Sequence, residues 1–427
     1  MALHFLSRFR RNRAASNLST TERNIRYLYI EITFASILGA IITFNSAFAV
    51  HLGATPTQNA LLFSAPALLS ALGSIPAARF MAHRRKRRLW LFGSLFLLRA
   101  GYLVVALMPL LFPFNTAWFL VLWIIALNLP TIFFTNGWTV LLGEIIPEDR
   151  RAFVISRRQI LWSVGVVIVS WLAGQWLDKV KFPTNYEIMY AFGFVTVLGS
   201  QYNLNRLTFS EAQRQSISKS TSKDVTSDLI VPDEPVKMRA PIARLVFNTL
   251  VYQLGLSLPA ALFNVYYIES LHTSDGWIGL NSAAASAGVV AGYFLWERFL
   301  RKRSYGWVQR RASLFTWIFP CTLAIFTDLN VIMLANFSVN VLHSGVDLSN
   351  FNVLLDIAEP HERGAYISWY NAALNASTFV APLLGAWLAG YLGIPVTLLI
   401  SGVLRLVGAS CFNVLRIDDP AITTMRT

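Results

Sequence analysis

Residues 210–237 read SEAQRQSISKSTSKDVTSDLIVPDEPVK. This stretch is rich in Ser, Lys and Asp and has almost no large apolar side chain, so it cannot pack a core. Residues 205–240, which contain it, are expected to form a flexible linker. Everything outside it has the opposite character. The chain has 427 residues, 55% of them hydrophobic and only 14% charged, against about 25% charged in a soluble protein. That much apolar surface needs lipid as solvent, and a spanning helix needs about 20 apolar residues.

Apolar runs and their breaks give twelve spans: 27–50, 58–80, 89–111, 117–143, 153–176, 186–204, 243–268, 275–299, 307–327, 330–355, 365–389 and 394–415. The linker divides them six and six. The expected organisation is an N-terminal bundle over 1–204, the linker over 205–240 and a C-terminal bundle over 241–427. The net charge of +14 follows the loops. Of 36 Lys and Arg, only Lys179 and Lys181 fall in loops on one side, Arg99 and Arg405 lie inside helices, and the remaining 32 sit on the other side or at helix ends facing it. Basic loops stay inside, so both termini are expected in the cytoplasm of a cell-membrane protein. The charge therefore reads as topology, and nucleic acid is not an expected partner.

The halves also resemble each other. At an offset of 219, Phe44-Asn45 matches Phe263-Asn264, Arg79-Phe80 matches Arg298-Phe299, and Ser94-Leu95-Phe96 matches Ser313-Leu314-Phe315. At an offset of 213, Val140-Leu141-Leu142 matches Val353-Leu354-Leu355, Pro147 matches Pro360 and Arg150 matches Arg363. One nearly constant offset across five spans indicates duplication. Two repeats that both start inside are parallel repeats about an axis along the membrane normal.

Gly73-Ser-Ile-Pro76-Ala-Ala-Arg79-Phe80 with the basic run Arg84–Arg88 resembles the signature loop of the major facilitator superfamily. The turns Gly143–Arg151 and Asp356–Gly364 are similar to that family's acidic-basic turns between helices. The resemblance covers nearly the whole chain except its first ~25 residues and the linker. It implies an all-α polytopic membrane protein of 12 transmembrane helices in two six-helix bundles. By the same resemblance spans 1, 4, 7 and 10 line a central path, with 2, 5, 8 and 11 beside them. Three departures weigh against a drug/proton antiporter: Ala82-His83 where the loop aspartate would lie, no arginine within span 4, and no Gly-Pro pair in span 5.

Polar residues inside spans are expensive unless they face a partner or water. Asn336, Asn340, His343, Asp347 and Asn350 recur at three- and four-residue spacing on one face of span 10. Asp347 lies nine residues from Asp356, about 13 Å inward along a helix. Asp347, His343 and Glu31 of span 1 are the candidates for proton coupling; a structural pair holding span 10 to a neighbour competes for the first two, and a place at the cytoplasmic interface competes for Glu31. The candidates for substrate binding are Asn45, Asn264, Tyr267, Asn136, Asn340, Asn371 and Asn375, since a few amides among apolar walls make a typical small-molecule site. Interhelical amide bonding competes for each of them. Arg99 and Arg405 fit snorkelling or contact with a neighbouring helix. Arg79, Arg150, Arg298 and Arg363, with Asp149 and Glu362, are expected to form a cytoplasmic gate.

No nucleotide-binding loop is present, the six His are not at metal-ligand spacing, and Cys321 and Cys411 both lie in apolar runs. The expectation is therefore a non-enzymatic secondary transporter of a small organic molecule, with protons as the candidate coupling ion. No cofactor or metal is expected, lipid is its surroundings, and a monomer is its expected working unit. A non-transporting receptor on the same fold and a facilitative uniporter are the alternatives.

Overall fold

The computed structural model describes residues 20–82, 87–208, 240–357 and 363–414. Most of the linker, residues 209–239, lies outside them, but its first residues pack: Leu207 is buried and Thr208 exchanges hydrogen bonds with Asn24. Among the described residues the protein is all helical. In chain order the helices are α1 Thr20–Ile42, α2 Asn45–His51, α3 Pro56–Ala82, α4 Arg87–Leu111, α5 Thr116–Ala126, α6 Asn128–Ile145, α7 Glu148–Lys179 and α8 Thr184–Asn205. The second half follows with α9 Ala240–Ser257, α10 Leu262–Val265 running into a π-turn at Tyr266–Ser270, α11 Asp275–Leu300, α12 Tyr305–Ser313, α13 Ile318–Ile325, α14 Leu329–Ile357, α15 Arg363–Leu392 and α16 Ile394–Val414.

These helices fall into the twelve spans read from the sequence. Nine helical stretches among the described residues are long and apolar enough to cross a membrane. The other three stretches read as spans in the sequence are covered by α3, α8 and the α12–α13 pair. Leu110, Val195, Leu334 and Trp387 stand exposed on the outer surface, as lipid-facing side chains would.

Four spans are broken where the apolar runs look continuous, and three breaks have a proline as their cause. Proline has no N–H to bond the carbonyl four residues back. Pro130, Pro259 and Pro320 therefore leave the Ala126, Gly255 and Thr316 carbonyls without helical partners, and the helices break at 127, 258–261 and 314–317. Span 1 breaks at Thr43-Phe44, where the Thr43 hydroxyl and amide both turn back onto the Ala40 carbonyl.

Packing repeats between the halves as the sequence does. In the first half α1 packs on α7 and α8, α3 on α6, and α4 on α6 and α8. In the second half α9 packs on α15 and α16, α11 on α14, and α13 on α14 and α16. The halves meet mainly through α7 with α11 and α3 with α15, which exchange under the same repeat, and also where α10 lies against α2 and α3.

Candidate functional site

The two halves touch at one end. Call the end where the chain enters and leaves the terminal face, and the opposite end, with the turns at 52–55, 180–183 and 271–274, the far face. At the far face Asp275, the first residue of α11, accepts hydrogen bonds from Tyr186 Oη (2.8 Å) and pairs with His51 Nε2 (3.1 Å), both from the first half. Asp178, at the end of α7, accepts from the Gly276 N–H (2.8 Å) and the Ser274 hydroxyl (2.9 Å), so a first-half carboxylate caps a second-half helix. Asn59 Nδ2 donates to the Ala261 carbonyl, exposed by the 258–261 break. Ala60, Ala261 and Ala386 pack together beside it. Deeper along α7, Gly174 and Gly279 approach so closely that a Cβ on Gly279 would sit 2.5 Å from the Ser170 carbonyl and 2.8 Å from Gly174 Cα. These hydrogen bonds between the halves all lie at the far face.

Inside the first half, three ionisable groups share one buried site. Glu31 accepts from Arg158 Nη2 (2.8 Å), Ser200 Oγ (2.9 Å) and Arg99 Nη2 (3.4 Å). Arg99 also donates to Gln201 Oε1 (2.8 Å) and Ser200 Oγ (2.6 Å). It does not snorkel; it crosses between spans 1, 3 and 6. Arg158 rests over the Trp138 ring, 4.7 Å from its centroid. In the second half Arg405 is 3% exposed and has no carboxylate partner among the described residues. It donates instead to the carbonyls of Gly255 (3.2 Å), Thr316 (3.1 Å) and Leu256 (3.3 Å).

Also in the second half, Asp347 Oδ2 lies 3.3 Å from His343 Nδ1 on the next turn of α14. The Asp347 side chain is 46% exposed, so it is open rather than buried in this conformation. Tyr252, Tyr293 and Tyr370 on α9, α11 and α15 lie within electrostatic reach of it. α14, which carries Asp347, packs on α9, α11 and α15. One helical stretch nearer the far face runs a ladder of amides. Asn340 Nδ2 donates to the carbonyl and the side chain of Asn336, Asn336 Nδ2 donates to Asn281 Oδ1 (2.9 Å), and Asn281 Nδ2 reaches Tyr267 Oη (3.5 Å).

The family model described as Major Facilitator Superfamily matches residues 30–234 and 245–424. The chain belongs to the Major Facilitator Superfamily. Among solved structures it is similar to a nucleoside transporter, NupG (TM-score 0.69, 11% identity, 93% of this chain and 100% of that one), and to a D-xylose-proton symporter (0.66, 15%, 92% and 96%). It is also similar to a bacterial homolog of the human lysosomal transporter Spinster, solved inward-facing and unoccupied (0.61, 12%, 94% and 98%). At these identities the likeness establishes the fold. A search of curated proteins returns no match. This member of the superfamily is a multi-pass membrane protein with a transporter's architecture.

The facilitator fold distributes the sequence-derived candidates unevenly. Asn45, at the start of α2, accepts from Tyr190 Oη (2.7 Å) and faces Tyr102, so its amide is held by spans 3 and 6. Its repeat mate Asn264 has no hydrogen bond among the described residues, and neither have Asn371 and Asn375 of α15. Tyr267 is buried against Trp277. The side chains of Asn136, Arg79, Asp149 and Arg363 lie outside the described set, as does Glu362 entirely. Arg150 and Arg298 stand exposed at the terminal face. The far-face contacts of His51, Asp178 and Asp275 were not singled out in the sequence. Each is a lone polar residue at a span end, and nothing in the linear chain brings 51, 178 and 275 together. Arg158 is one of several polar residues that open span 5, and nothing in the linear chain joins it to Glu31.

Proposed function

We propose that this chain is a secondary transporter that carries a small organic molecule across the cell membrane by alternating access. In this reading 1–204 and 241–427 rock as two bodies joined by the 205–240 linker. The observation that carries it is the cluster of hydrogen bonds that joins the halves at the far face. A pair of bundles latched at one end is one of the two end states that rocking requires. The distribution of Lys and Arg puts the terminal face in the cytoplasm, so this conformation is the inward-facing one. The charged turns at the terminal face, with Arg79, Arg150, Arg298, Arg363, Asp149 and Glu362, would then close in the opposite state.

Of the three candidates for proton coupling, Asp347 with His343 is the stronger site. Glu31 is committed to two guanidiniums, whereas Asp347 is open to water in this conformation and would be enclosed as the terminal face shuts. A carboxylate that alternates between hydrated and enclosed surroundings exchanges a proton with the cycle. The amides of Asn340, Asn264, Asn371 and Asn375 on the central spans suit hydrogen bonding to the substrate.

Uptake into proteoliposomes with and without an imposed pH gradient tests this. Wild type should accumulate substrate against its gradient. Asp347→Asn should lose accumulation and keep exchange. Equal accumulation by wild type and Asp347→Asn would remove Asp347 from the mechanism, and flux indifferent to the pH gradient would leave a uniporter. Cysteines placed at Ser16 and Ser218 should react only from the cytoplasm and one at Thr184 only from outside; labelling of Ser218Cys from outside intact cells would invert the topology.

A further inference from the structure

The buried cluster of the first half holds two guanidiniums and one carboxylate, and the second guanidinium has unused capacity. Arg99 is fully engaged: Glu31, Ser200 and Gln201 all bond it. Arg158 is not. A guanidinium carries five N–H donors, and Arg158 places one of them, from Nη2, on Glu31. Its Nε is buried and has no partner, and its Nη1 makes no hydrogen bond among the described residues. The side chain is 10% exposed. One face of the guanidinium is fixed by Trp138, which is itself stacked on Phe134 (5.3 Å).

Arg158 lies five residues inside the apolar stretch 153–179. A cation at that position needs a water-filled space or an anion, because lipid would not solvate it. Its neighbours Glu31 and Trp138 belong to spans 1 and 4. The formal charge of the Glu31–Arg99–Arg158 group is +1, so the group as a whole lacks one negative charge. A planar fork held from one side by a carboxylate and from beneath by an indole is prepared for a second carboxylate, which Arg binds in two-point geometry.

We propose that Arg158 is the anchor for a carboxylate of the transported molecule, which makes the substrate an organic anion. This rests on the transporter reading and names its substrate class. Glu31 and Arg99 are positioning residues: Glu31 holds the guanidinium and Arg99 neutralises Glu31.

The test uses the full-length protein purified in a neutral detergent, with ionic strength held constant by sodium chloride. Thermal unfolding is followed against sodium benzoate, sodium acetate and the uncharged isostere benzamide. One or both carboxylates should raise the melting temperature and benzamide should not. Arg158→Gln should weaken the carboxylate effect at least tenfold, and Arg158→Lys should fall between, keeping charge without the fork. Arg158→Gln is expected to fold, since Glu31 retains Arg99 and Ser200. Phosphatidylglycerol added in place of the carboxylates tests a lipid phosphate as the occupant; stabilisation by that lipid alone would overturn the proposal. So would the absence of any carboxylate effect, equal effects of benzoate and benzamide, or an undiminished effect in Arg158→Gln. Because the readout is binding, a carboxylate that binds through Arg158 but shows no flux in proteoliposomes would leave this site standing and remove the transport reading.

Discussion

Pro259 frees the carbonyl that Arg405 claims. In an unbroken α-helix the Gly255 carbonyl would accept from the N–H at position 259, which proline lacks, and Arg405 Nε donates to it at 3.2 Å while Ser401 Oγ donates at 2.8 Å. The arrangement repeats at the Thr316 carbonyl, freed by Pro320 and taken by Arg405 Nη1 at 3.1 Å. Two broken spans and one buried cation thus satisfy one another.

Arg405→Met should therefore destabilise the protein, since it orphans the Thr316 and Leu256 carbonyls at about 1–3 kcal/mol each and leaves Gly255 only Ser401, while relieving the burial of a charge. A net loss of about 2–4 kcal/mol is expected, read as a fall in melting temperature. Adding Pro259→Ala returns an amide to the Gly255 carbonyl and should recover part of it. A double variant no more stable than Arg405→Met alone would contradict the relationship.

Glu31 is the only carboxylate bonded to Arg99 and Arg158 among the described residues. Glu31→Gln should cost about 3–5 kcal/mol, the usual consequence of removing one partner of a buried pair. Arg158→Gln should cost less, and the double variant Glu31→Gln with Arg158→Gln should be more stable than Glu31→Gln by itself. Thermal unfolding of the three proteins decides it; equal losses for both single variants would mean the charges are already screened.

Gly279 faces backbone, which cannot yield as a side chain can. Gly279→Ala should wedge the far face open and shift the population toward the state closed at the terminal face. Spin labels at Lys181Cys and His272Cys, both exposed on that face, should report a longer distance population than in wild type. An unchanged distance distribution would show that the helices slide to accommodate the methyl.

Asp178 and Asp275 hold the same end by charge-assisted bonds, worth about 1.5–3 kcal/mol each. Asp178→Asn or Asp275→Asn should favour the opposite state about tenfold or more, since 1.4 kcal/mol is a factor of ten. Both act on the first turn of α11, so the double variant should fall short of the sum. The same labelled pair measures this, and no shift in either variant would make the latch incidental.

The sequence carried the spans and their pairing because lipid imposes a length and duplication imposes an offset. It did not carry the breaks at 127, 258–261 and 314–317: Pro130, Pro259 and Pro320 sit in apolar runs that hydropathy reads as continuous. Nor did it carry the Glu31–Arg99–Arg158 group, whose members are up to 127 residues apart and meet only when spans 1, 3 and 5 pack. The depth of Asp347 could be read from its position in span 10, but not its exposure, which depends on how the halves are tilted. The far-face seal at Gly174 and Gly279 was invisible for a plainer reason, that glycine announces itself by what is missing.

Arg405 has a further consequence, because among the described residues no carboxylate pairs with it. Together with the +1 of the Glu31 group it places one cation in excess of directly bonded carboxylates within each half of the bilayer-spanning bundle. Membrane voltage does about 2.3 kcal/mol of work on a unit charge per 100 mV. If rocking carries either cation across a tenth of the field, about 0.2 kcal/mol per 100 mV enters the balance between end states. The transport cycle would then be electrically sensitive before any substrate or proton is bound.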